Sequence, residues 1–164
     1  MFRDMRRKKQ KMQQWEVDEI FAGNSSGVLA VLGDDDYPYA VPLTYVRAGD
    51  KIYFHSANAG HKIDAIESYD KVSFCVIDTD DVTPDEFTTH YRSVIAFGKA
   101  RIVNDENGKR EAIRLLSDRY CADFKNESVQ EIDKNIKNFC IIEMTIEHVT
   151  GKMATELMPI PTRD

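Results

Sequence analysis

Three apolar segments follow one another in this chain with almost nothing between them. "GVLAVLG" (27–33), "YPYAVPLTYV" (37–46) and "KIYFHS" (51–56) are separated by "DDD" and by "RAGD". Parallel pairing of successive strands needs a crossover of a dozen or more residues, usually a helix. These gaps are too short for one, so the three segments must run antiparallel. Two further strands, "KVSFCVI" (71–77) and "YRSVIAFGKARIV" (91–103), flank the polar stretch "DTDDVTPDEFTTH", of which "DTDDVTPDE" reads as a solvated loop. The last, "CIIEMTIEHV" (140–149), alternates, with Cys140, Ile142, Met144 and Ile146 facing in and Glu143, Thr145 and Glu147 facing out.

Apolar spacing places helices around these strands. Trp15, Val17, Ile20 and Phe21 form one stripe that Gly23 stops. Ala112, Ile113, Leu116 and Tyr120 form a second, and Val129, Ile132, Ile136 and Phe139 a third. A short helix is expected from about Ala59. The resulting class is mainly β with peripheral helices, a six-stranded antiparallel barrel. A parallel α/β arrangement is the weaker alternative. Pro38 and Pro42 require the second strand to be an edge or a bulged strand, because proline cannot donate to a ladder. The strand from 91 has a small face, Val94, Ala96, Gly98 and Ala100, that admits close packing.

The 164 residues suffice for one domain, and 42% apolar with 30% charged is ordinary globular composition. No run of apolar residues is long enough to span a membrane, and the N-terminus lacks a signal-peptide pattern. Cys75, Cys121 and Cys140 lie far apart without metal spacing, which fits a reducing compartment and a cytoplasmic location. The four histidines offer no paired ligand spacing apart from His55 and His61, six apart across a strand–helix break, and no metal is expected. "MFRDMRRKKQK" holds six Lys or Arg against one Asp, while the whole chain carries a net charge of -6. Residues 1–12 therefore read as a solvated basic arm that can lie across a partner subunit. Nucleic acid is not expected as a ligand.

The segment "YFHSANAGHKIDAI" (53–66) carries the clearest chemistry. A helix starting there aims free N–H groups at the end of the preceding strand, where anions bind. Gly60 allows a close approach, Lys62 adds a charge and His61 a donor. These residues describe a phosphate cradle or, with equal support, an exposed first turn whose basic residues pair with Asp64. His55 shares a strand face with Lys51 and Tyr53 and stands beside that cradle, positioned to give up a proton or to serve only structure. No Gly-rich dinucleotide fingerprint, P-loop or nucleophile elbow is present.

In combination, "GVLAVLGDDDYPYAVPLTYV", "KIYFHSANAGHKIDAI", "VSFCVID", "FTTHYRSVIAFGKARIV" and "IEHVTGK" resemble the pyridoxamine 5′-phosphate oxidase-like flavoproteins, and within them the Nim group linked to 5-nitroimidazole resistance. The resemblance implies an FMN-binding split β-barrel over residues 13–158, a tail over 159–164, and a homodimer with two flavin sites at its interface. It implies that His61 and Lys62 hold the FMN phosphate and that Gly60 lets it approach. Pro42, Leu43 and Thr44 would lie along the isoalloxazine ring, and His55 and Ser56 would touch the cofactor. Arg92, Ser93 and Lys152 would reach it, across the interface. It further implies reduction by NADH or NADPH and transfer to a small acceptor such as a nitroaromatic, with His55 catalytic. A flavin- or heme-binding carrier without turnover is the alternative. The chain departs from true pyridoxamine phosphate oxidases in two places. "MATELMPIPTRD" lacks their arginine- and histidine-bearing end, and the helix pair is His-Lys where theirs is Arg-Lys. Oxidation of pyridoxamine phosphate is therefore not expected.

Overall fold

One antiparallel sheet organises the computed structural model, which describes residues 2–158. Its strands are β1 (Ser26–Leu32), β2 (Pro38–Thr44), β3 (Val46–Ala48), β4 (Lys51–Ser56), β5 (Lys71–Thr83), β6 (Thr88–Ile102) and β7 (Cys140–Met153). The helices are α1 (Gln14–Gly23), α2 (His61–Ser68), α3 (Glu106–Tyr120) and α4 (Lys125–Asn135). The strand order is β2-β1-β5-β6-β7-β4-β3, every neighbouring pair antiparallel. The fold is mainly β with helices and split-barrel-like, an open sheet of seven strands where the sequence reading expects six.

The extra strand has a local cause. "YPYAVPLTYV" divides at Tyr45, so that residues 38–44 pair with β1 while residues 46–48 pair with β4. The Tyr45 ring is wholly buried, edge-on to Phe21 and Phe74. Its hydroxyl donates to Phe21 O at 2.9 Å, and burial pushes its pKa up to about 12. One buried side chain thus pins the chain where it leaves one edge of the sheet for the other. β2 is an edge strand, the position where Pro38 and Pro42 cost no ladder bonds.

Two apolar cores lie on opposite faces of the sheet. The barrel interior holds Leu29, Tyr45, Ile52, Phe54, Phe74 and Met144, closed at one side by Val17, Ile20 and Phe21 of α1. Trp15, the fourth member of that stripe, stays exposed. The outer core joins Val46, Val103 and Ile141 to Ala112 and Leu116 of α3 and to Ile136 and Phe139.

Several expectations change once this second layer is present. α4 stops at Asn135, so Ile136 and Phe139 are buried in the segment after it, and Val129 is 56% exposed. Glu143 faces away from the barrel yet is buried under the outer layer, where Lys51 Nζ and Arg101 Nε donate to it at 3.0 and 2.8 Å. Of "DTDDVTPDE" only the tip turns, at Pro84–Glu86. The stretch extends the β5–β6 hairpin, pairing from Thr79 with Arg92 out to Thr83 with Thr88, after an irregularity at Asp78. A hairpin arm that is mostly polar on both faces carries no apolar alternation to reveal it.

The basic arm runs along its own sheet. Met12 and Gln10 are buried, Met12 N–H donates to Gly151 O at 3.0 Å, and Phe2 stacks on His148. Residues 159–164, read as a tail, lie outside the described residues. Among the described residues no helix is long and apolar enough to cross a membrane.

Candidate functional site

The chain passes from β2 to β3 through Tyr45 alone, and this brings Thr44 at one edge close to β4 near the other. A cavity of about 780 Å³ opens there, a size suited to a small molecule or cofactor. Pro42, Leu43 and Thr44 line one side and His55 another. Four of the residues singled out from sequence therefore meet in one space. α3 contributes Ile113, Leu116 and Tyr120 to the roof, and α4 contributes Ile132. Tyr120 holds the roof in place, because its hydroxyl donates to Tyr45 O at 2.6 Å. Arg119, one residue earlier, donates to Phe21 O, Ala22 O and Asn24 O at the end of α1 and lies over the Tyr45 ring.

His55 stands on the outer face of β4, opposite the buried Ile52, Phe54 and Ser56. Its ring meets Phe139 edge-on with centroids 4.8 Å apart. Burial lowers its pKa below the ordinary 6.5, so the neutral imidazole prevails at pH 7.

The start of α2 has an anion-ready geometry. Gly60, at φ 128°, caps the helix without a side-chain bond, in a conformation that glycine adopts freely. Its carbonyl accepts from Ile63 N–H at 2.7 Å and Asp64 N–H at 3.2 Å. Lys62 is half-buried, and among the described residues its ammonium has neither ion-pair nor hydrogen-bond partner. The Ser56 hydroxyl, at the end of β4, is buried without a hydrogen-bond partner among the described residues. His61 is placed differently from Lys62. Its ring stacks on Tyr39 with centroids 4.3 Å apart, and Nε2 accepts from Asp34 N–H at 3.3 Å. The imidazole joins α2 to the β1–β2 turn, and neither basic residue pairs with Asp64.

Arg92, Ser93 and Lys152 form a separate group on β6 and β7, away from the cavity. Ser93 and Lys152 are cross-strand partners, and Lys152 Nζ lies 4.9 Å from the centre of the Tyr91 ring. Arg92 approaches Asp78 at 3.4 Å, while its Nε is buried without a partner among the described residues. Sequence reasoning missed the helical half of the cavity. Tyr120 and Ile113 read from sequence only as members of an apolar helical stripe, which does not tell a cavity wall from a packed core. Among the described residues no group of three His, Cys, Asp or Glu is arranged to hold a metal.

The sequence matches the pyridoxamine 5′-phosphate oxidase family over residues 13–153. The chain belongs to that family. No curated protein matches it. Solved structures of similar fold include a candidate 5-nitroimidazole antibiotic resistance protein from Bacteroides thetaiotaomicron, 19% identical with a TM-score of 0.71, covering 87% of this chain and 86% of that one. The flavocytochrome Anf3 from Azotobacter vinelandii is 21% identical with a TM-score of 0.77, covering 93% and 72%. The FAD and heme binding protein from Mycobacterium smegmatis is 19% identical with a TM-score of 0.73, covering 89% and 74%. At these identities the likeness is one of fold, and the oxidase-family membership rests on the sequence match.

Proposed function

We propose that this member of the pyridoxamine 5′-phosphate oxidase family is an FMN-dependent reductase of small acceptors such as nitroaromatics. The observation that carries the reading is the convergence of Pro42, Leu43, Thr44 and His55 on one cavity, with Lys62, which has no partner among the described residues, on α2. The residues fit a flavin nucleotide. The start of α2, with Gly60, Lys62 and the orphaned Ser56 hydroxyl, suits its phosphate, and the strand beside Pro42–Thr44 suits its ring. His61 steadies the helix start against Tyr39 and Asp34. FMN would supply electron transfer from NADH or NADPH to the acceptor. His55 borders the cavity and would hold the proton that the reduced acceptor needs, on a ring nitrogen. Arg92, Ser93 and Lys152 would serve the site of a second subunit in a homodimer, which accounts for their distance from this cavity. The flavin- and nitroimidazole-related neighbours support this assignment.

A carrier that binds flavin or heme without turnover is the second reading, favoured by the flavin-and-heme-binding neighbours and by a single imidazole facing an apolar cavity. Two measurements test the choice. The purified protein, soaked in FMN and desalted, should keep visible flavin absorption, and Lys62→Ala should weaken retention roughly tenfold. Colourless native protein would remove FMN from the site. Consumption of NADH or NADPH with a nitroimidazole then separates reductase from carrier. With His55 as donor, turnover falls as pH rises through a pKa below 6.5, and His55→Ala loses that dependence while still binding FMN. An identical profile in both proteins would remove His55 from the chemistry.

A further inference from the structure

The cavity has a charge pattern that flavin binding leaves unused. Its walls are mostly apolar, and among the described residues no lysine or arginine lines it. Two carboxylates do, Glu127 and Glu131, four residues apart on α4. That spacing puts them on one face of the helix, where like charges repel. Among the described residues neither has an ion-pair partner. Glu131 accepts from the neutral Asn135 amide at 2.6 Å, which satisfies an oxygen without cancelling the charge. Arg110, on α3, is committed to Glu106 and Asp133. Lys62, without an ion-pair partner among the described residues, lies at the start of α2 and does not line the cavity.

We propose that Glu127 and Glu131 set the acceptor class, so that beside the flavin the cavity takes a planar apolar acceptor that is neutral or cationic and turns away acceptors bearing carboxylate or phosphate. What then happens to the ring rests on the reductase reading, while the selection itself acts through binding. His55, neutral at pH 7, does not offset the two carboxylates. The carboxylates are exposed at the mouth, so their field is screened by salt. At such distances and screening the expected discrimination between a cation and a matched anion is roughly tenfold at low ionic strength.

The test is calorimetric titration of the purified protein with 1-methylquinolinium and with quinoline-4-carboxylate, two probes with the same ring and opposite charge. The cation should bind roughly tenfold more tightly, and the preference should shrink toward unity at about 1 M salt. The double variant E127Q/E131Q, substituted at two exposed positions, should show the same loss at low salt. Equal affinities, a preference for the carboxylate, binding of neither probe, or a preference that survives the double substitution would each overturn the proposal. Flavin retention is scored on the same preparations. Colourless protein that still discriminates removes the flavin reading and leaves this one standing, whereas yellow protein that does not discriminate removes this one alone.

Discussion

The barrel interior and the α3–α4 cover are built from similar side chains but are held together differently. In the barrel, Phe54 and Phe74 are wholly buried, with ring centroids 5.0 Å apart, and Tyr45 meets Phe74 at the same distance. The cover shares its buried residues with the sheet through α3, and α4 itself buries none. Phe124 and Val129 are 62% and 56% exposed. The difference assigns roles. The barrel fixes where His55 and Pro42–Thr44 stand, and the cover is the part of the cavity able to change without loss of the fold.

The largest effect expected from this contrast is in the barrel. Phe54→Ala should cost about 3–5 kcal/mol, and Val129→Ala on α4 less than about 0.5 kcal/mol, in urea unfolding. Comparable losses at the two sites would erase the distinction. Next comes Glu143, which joins the two regions through β7. Burial acts to raise its pKa, but the bonds from Arg101 and Lys51 outweigh it and hold the carboxyl below the ordinary 4.5. A carboxylate with a depressed folded pKa stabilises above its unfolded pKa, and that stability is lost as pH falls through the folded value. Glu143→Gln should therefore cost about 2 kcal/mol near neutral pH. The gap from the native protein should close below about pH 4.5, and a gap that stays constant would exclude the ion-pair account. The smallest effect is expected at the join between cover and split. Tyr120→Phe removes the hydroxyl that bonds Tyr45 O and should cost about 1 kcal/mol. Hydrogen exchange should rise in α3 and remain unchanged in β5 and β6. A rise spread over the whole sheet would mean that this bond supports the barrel itself.

The same contrast governs what was legible in the sequence. Strands buried on at least one face announced themselves, and short connections settled their direction, because alternation and loop length report burial and topology. The division at Tyr45 was hidden, since a single buried hydroxyl bonded to Phe21 O leaves no mark in a run of strand-forming residues. The β5–β6 extension was hidden because neither face is apolar. In the site, Pro42 and His55 are legible through strand chemistry, while the helical roof reads only as an apolar stripe, because residues such as Leu116 serve the outer core and the cavity together. His61 was legible as a basic residue on a helix start, but its stacking on Tyr39 depends on a turn distant in sequence.

The passage through Tyr45 also limits how the protein can diversify. Two peptide links extend at most about 7 Å, so the covalent chain acts as a tether of fixed length between the two edges of the split. Side-chain replacement cannot lengthen a tether, and an inserted residue there would displace the most buried aromatic of the join. Width at that end is inherited with the backbone. New specificities must arise on the opposite wall, where helices can slide, lengthen or exchange residues while the barrel keeps its register.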